Sequence, residues 1–139
     1  MAEEKLVLKA GVVTPFLSGF DLSPDGESFQ YTTLDMSGKN IEALNKFIEE
    51  AKEVFYCNLA NNNIPDPTTL KELHNLIHLD LSNNKVKNIS IFCAEESLTK
   101  LKYLDLSNNK FTEFGTFTLP NLEYLDVSKN KLDKISETW

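Results

Sequence analysis

The sequence predicts an α/β repeat protein, a stack of similar units that each supply one short strand. Three observations predict it. The segments LIHLDLSNNKVKNI (76–89), LKYLDLSNNKFTEF (101–114) and LEYLDVSKNKLDKI (122–135) share the pattern L-x-x-L-x-L-x-x-N-x-Φ-x-x-Φ, where Φ is apolar. Two looser copies precede them: YTTLDMSGKNIEAL (31–44), with Lys39 at the Asn position, and VFYCNLANNNI (54–64), with Cys57 at the second apolar position. The equivalent residues Leu34, Cys57, Leu79, Leu104 and Leu125 are therefore spaced by 23, 22, 25 and 21 residues. Lastly, Leu79 and Leu81 alternate with Asp80, the period of a half-buried strand.

On these motifs, residues 30–139 resemble the leucine-rich repeat family, in its intracellular short-repeat class. The resemblance implies a solenoid with parallel strands on the concave face and mixed short helices and loops on the convex face. Stacking is also what the physics requires, because one repeat alone cannot bury its apolar side. Asn62, Asn84, Asn109 and Asn130 recur at one position and are expected to form a ladder whose amides satisfy backbone groups at the turn leaving each strand. Lys39 interrupts that ladder, so the first turn is expected to be irregular.

The remaining elements follow in chain order. Residues 1–29 do not fit the repeat; KLVLKAGVV and the turn signal SPDGES suggest a strand or short helix and then a turn, read as an N-terminal cap over the first repeat. In IEALNKFIEEAKE (41–53), Ile41, Leu44, Ile48 and Ala51 lie on one helical face. Asp66-Pro67 is an N-cap followed by proline at the first helical position, predicting a short helix through Leu73. AEESLTKL (94–101) predicts another short helix, while FGTFTLP (114–120) is too short and too rich in Gly, Thr and Pro for one. Phe111, Phe114 and Phe117 are expected to pack in the core. The C-terminal end has no cap in the sequence, which leaves Leu125, Val127, Leu132 and Ile135 facing no further repeat unless Trp139 folds back; a fragment, or association through this end, is the expectation.

At 139 residues the chain is one domain, and 41% hydrophobic with 25% charged residues is ordinary for a soluble globular chain. The N-terminus, MAEEKLVLKAGVV, does not read as a signal peptide, no apolar run spans a membrane, and two cysteines make no disulfide framework, which points to the cytoplasm. Net charge is −7, and all 14 bases are Lys. Without the bidentate fork of Arg, an acidic chain is poorly suited to nucleic acid or an anionic membrane, and a basic partner is more natural.

The concave face can be read column by column. Before the second apolar position stand Thr33, Tyr56, His78, Tyr103 and Tyr124; after it stand Asp35, Asn58, Asp80, Asp105 and Asp126; then Ser37, Ala60, Ser82, Ser107 and Ser128. Neighbours in adjacent strands sit ~4.8 Å apart. Tyr56, His78, Tyr103 and Tyr124, with Asp80, Asp105 and Asp126, are thus candidates to bind a basic protein segment: rings offer apolar area and a face for a cation, and crowded carboxylates gain when one arrives. The Asp column also resembles the family consensus, and so reports family as much as partner. His74 and His78 stand four apart but not on one helix, and Cys57 and Cys93 complete no site, so no metal is expected. No catalytic motif or phosphate loop appears, so no enzyme and no cofactor are expected. Asn88-Ile89-Ser90 matches a glycosylation triplet, which has no meaning without a secretory route.

The intracellular class implies binding scaffolds. The order of elements, from SPDGESFQYTTLDMSGKNIEAL through LKELHNLIHLDLSNNKV to LPNLE, is similar to the leucine-rich repeat protein of the radial spoke in motile cilia. A structural part of the axoneme, a regulatory subunit of a cytosolic enzyme such as a phosphatase, and an extracellular recognition module are the settings this leaves open.

Overall fold

The computed structural model describes residues 14–22, 26, 29–94, 98–132 and 134–135. After a 3₁₀ turn at Thr14–Phe16 come β1 (Leu17–Leu22), β2 (Phe29–Asp35), β3 (Tyr56–Asn58), β4 (His78–Asp80), β5 (Tyr103–Asp105), β6 (Glu113–Phe114), β7 (Tyr124–Asp126) and β8 (Lys134–Ile135). Six strands form one sheet in the order β1-β2-β3-β4-β5-β7, and β6 and β8 form a second. From β2 onward the main sheet is parallel, one strand per repeat. Its register is the one the motif implies: Leu34, Cys57, Leu79, Leu104 and Leu125 are successive partners.

Alternation puts those residues on the core side. Leu34, Leu79 and Leu104 are fully buried, Cys57 is 1% exposed, and Met36, Leu59, Leu81 and Leu106 extend the same layer. Phe92 and Phe111 are the largest side chains in the core, with Phe117 packed against it and its ring 5.9 Å from that of Phe92. Phe111 and Phe117 thus pack as expected; the side chain of Phe114 lies outside the described residues. In the last repeat, Leu122, Leu125, Val127 and Leu132 are only partly buried.

The side opposite the sheet differs from the helices expected there. Ile41, Leu44, Ile48 and Ala51 are all buried, but only Lys46–Ala51 is helical, and it is 3₁₀. The helix expected from Asp66-Pro67 is a 3₁₀ segment at Thr68–Glu72; Pro67 precedes it, and the Asp66 carboxylate accepts from the Thr68 N–H at 3.0 Å. In 94–101 the described residues form bends and turns, with 95–97 outside them, and the helical turn falls earlier, at Ser90–Phe92. The stretch 115–118 is not helical, as expected. With 21–25 residues per repeat, the strand, its exit turn and the return path leave only a short stretch for a helical turn, and short stretches favour 3₁₀ geometry.

Of the first 29 residues, 1–13, 23–25 and 27–28 lie outside the described residues, and with them KLVLKAGVV and all of the expected SPDGES turn but Gly26. The strand that does form, β1, pairs antiparallel with β2 from Leu17↔Leu34 to Leu22↔Phe29, and Phe16 and Leu17 pack against the core. Gly19 fits this pairing because its φ is +69° and a Cβ there would lie 2.0 Å from Thr32 Oγ1. Trp139 and the side chain of Ile135 lie outside the described residues.

Candidate functional site

Leu34, Cys57, Leu79 and Leu104 are buried in their strands and Leu125 is partly buried in β7, while the residues flanking each of them turn to the opposite face. The register sets Thr33, Tyr56, His78, Tyr103 and Tyr124 side by side. The His78 ring lies flat on Tyr103, with centroids 3.9 Å apart and planes 4° from parallel. Tyr103 stacks on Tyr124 at 4.4 Å and 3°. Tyr56 is tilted by 47° against His78 at 5.8 Å. The four candidate rings therefore meet in one continuous row, whose ends are open: Tyr56 is 48% and Tyr124 46% exposed. Burial first, then the nearby Asp105, push the Tyr103 phenol above its usual range.

The carboxylate column lies beside the rings, and each of its members is also engaged in its own strand exit. Asp80 Oδ1 accepts from the Ser82 N–H at 2.9 Å and hydroxyl at 2.6 Å, and Asp105 Oδ1 from the Ser107 N–H at 2.9 Å and hydroxyl at 2.7 Å. Asp35 and Asp126 accept from Ser37 and Ser128 in the same way, and the bonds from Ser128 hold the Asp126 carboxyl below its usual range. Asn58 Oδ1 accepts the Ala60 N–H at 3.0 Å in the second repeat, so Asp and Asn are interchangeable for this bond. The consensus character of the column has that structural cause. The negative charge remains on the face; it is one oxygen per carboxylate that is committed.

The asparagine ladder forms and spans repeat boundaries. Asn84 Nδ2 donates to Leu59, Leu81 and Ser82 carbonyls at 2.9–3.2 Å, while its Oδ1 accepts the Ile64 N–H at 3.1 Å. Asn109 does the same for Leu81, Leu106, Ser107 and Val86. Asn62 reaches back to Met36 and accepts both Lys39 N–H and Ile41 N–H at 3.0 Å. The turn that lacks its own Asn is thus held from the next repeat. Asn130 bonds Leu106, Val127 and Ser128 but is less buried.

A further column, one residue before the ladder, escaped the reading of the sequence. Gly38, Asn61, Asn83, Asn108 and Lys129 all take the left-handed conformation, with φ between 55° and 64°. Gly and Asn tolerate it, and their recurrence beside the ladder Asn was the available signal. The first turn is irregular, as expected, in carrying a second such residue, Asn40 at φ 56°.

His74 is exposed and lines a polar cleft with Lys52, Glu53, Glu72 and Asn75, whereas His78 belongs to the ring row. Among the described residues no three ligating side chains converge. Cys57 and Cys93 are free thiols; burial, then Asp35 and Asp80, push Cys57 up to about 12. Among the described residues no helix is long and apolar enough to cross a membrane.

Residues 99–137 match a family model for leucine-rich repeats in two copies, and residues 75–94 match one for a single leucine-rich repeat. No curated protein matches the chain. Among solved structures it is similar to the leucine-rich repeat ectodomain of the receptor kinase SOBIR1 from Arabidopsis thaliana, with a TM-score of 0.59 and 19% identity over 90% of this chain and 93% of that one. That likeness bears on the fold alone. A ciliary radial-spoke role and a phosphatase-regulating role draw no support from these matches. Leucine-rich repeat domains generally mediate protein–protein interaction. Residues 75–94 and 99–137 thus match leucine-rich repeats, and the strand register and the shared fold carry the same repeat architecture through the parallel sheet.

Proposed function

We propose that this chain is a non-catalytic scaffold that binds a segment of a protein partner on the face formed by Tyr56, His78, Tyr103 and Tyr124. The observation that carries this reading is the stacked ring row, held in register by the strands yet open to solvent at both ends. Such a row is pre-ordered, so a partner buries aromatic area with little loss of side-chain freedom. Asp80, Asp105 and Asp126 beside it favour a basic segment, whose cations meet both ring faces and carboxylates. The antiparallel β1, with Phe16 and Leu17 on the core, supports reading residues 1–29 as the N-terminal cap of the stack. Two free thiols favour a reducing compartment such as the cytoplasm.

The test is capture from the source cell with immobilised parent chain and with the Tyr103→Ala and His78→Ala variants, both positions being only partly buried. Loss of the same partner from both variants, with unchanged thermal melts, is expected. Undiminished capture by both would overturn the proposal.

A further inference from the structure

The flank on which the chain descends from the sheet carries a second charged surface, of opposite sign. There the backbone forms its own cross-repeat ladder: the N–H groups of Asn63, Lys85, Lys110 and Lys131 donate to the carbonyls of Ile41, Ile64, Val86 and Phe111 at 2.8–3.2 Å. These bonds fix equivalent positions in successive repeats. Alternation does the rest. Ile41, Ile64, Val86 and Phe111 are buried, so the residues before them point outward, and Lys85, Lys110 and Lys131 are all exposed. Lys87 is exposed two residues beyond Lys85, its N–H bonded to the Pro65 carbonyl.

Lysines at equivalent positions of adjacent repeats repel one another when nothing neutralises them. Among the described residues no carboxylate forms an ion pair with Lys85, Lys87, Lys110 or Lys131. A chain of net charge −7 has acids to spare, yet it gathers these bases on one flank.

We propose that the row Lys85, Lys110 and Lys131 is a docking surface for an acidic segment of a protein partner. The negative net charge and the absence of Arg disfavour a polyanion as large as duplex nucleic acid or an anionic bilayer, because the rest of the surface repels it. A short acidic peptide meets only the flank. The surface is distinct from the ring row, so it stands or falls separately from the function proposed above.

The test uses the full chain and a fluorescent twelve-residue peptide of alternating Glu and Ala. Three proteins are compared: the parent, the triple variant Lys85→Glu, Lys110→Glu, Lys131→Glu, and a control, Lys52→Glu, Lys71→Glu, Lys102→Glu, with the same change in net charge at exposed lysines elsewhere. Circular dichroism melts establish that all three are folded. Peptide affinity in 50 mM salt is expected to fall about tenfold or more in the flank variant, and by less than about twofold in the control. Tyr103→Ala is expected to leave it unchanged. Equal loss in the flank variant and the control overturns the proposal, as does no peptide binding by the parent. Tighter binding of the parent to a 20-base-pair DNA duplex or to vesicles containing phosphatidylserine than to the peptide overturns it as well.

Discussion

Removal of Asn109 tests the physical account of the stack most directly. The side chain is 5% exposed, donates to three carbonyls at 2.9–3.1 Å and accepts the Val86 N–H at 3.0 Å. Two of those partners, Leu81 and Val86, belong to the preceding repeat. Asn109→Ala leaves the N–H of fully buried Val86 without an acceptor, a cost of ~1–3 kcal/mol. It also takes donors from the Leu81 and Leu106 carbonyls, which raises the expected loss to ~2–4 kcal/mol. Against a typical total of ~5–15 kcal/mol, that is a large fraction. In urea, with a slope of ~1–3 kcal/mol per molar, the midpoint is expected to drop by about 1–2 M. Asn130→Ala is the comparison: it makes equivalent bonds but is partly exposed, so water replaces them and the loss is ~0.5–1.5 kcal/mol. If Asn109→Ala unfolds within about 0.2 M of the parent, or loses no more than Asn130→Ala, then the amide ladder does not hold the repeats together.

Three other outcomes are expected. Lys129→Asn gains ~0.5–1 kcal/mol in urea unfolding, because Asn accepts the left-handed backbone (φ 56°) more readily; a loss of stability would contradict the assignment of that column. Asp105→Asn unfolds within ~0.5 kcal/mol of the parent while Asp105→Ala loses ~1 kcal/mol, because only the former keeps an acceptor for the Ser107 N–H, as Asn58 does for Ala60; equal losses would remove the structural role of the column. Cys57 makes the parent pH-sensitive at the alkaline end. Its folded pKa, about 12, stands above the unfolded 9.0, so the stability it contributes is complete below pH 9 and is lost as pH rises from 9 towards 12. The parent is expected to lose stability faster than Cys57→Val over that window, with a slope difference of up to ~1.4 kcal/mol per pH unit; parallel curves would show that Cys57 is not held as a buried thiol.

The repeat itself was legible in the linear order of residues. Leu79, Leu81 and Asn84 recur at a fixed spacing because every repeat repeats the same local problem: an inward pair, a turn, and a polar group to satisfy it. Register, strand polarity, the buried layer and the adjacency of Tyr56, His78, Tyr103 and Tyr124 all follow from that spacing. Tertiary structure alone decided what depends on the neighbouring repeat. Ring order is one such case: Tyr103 lies flat on both His78 and Tyr124, while Tyr56 tilts, and nothing in a column of letters distinguishes them. Helix type is another, since Ile41, Leu44, Ile48 and Ala51 satisfy a helical pattern, yet the chain buries them with a 3₁₀ segment and extended backbone. The same holds for Asn62, which serves the turn at Lys39 as well as its own, and for the lysine flank, whose members are 25 and 21 residues apart in sequence and become neighbours only through the cross-repeat ladder. Local pattern sets what each repeat buries; the ~4.8 Å stacking distance sets what each repeat touches.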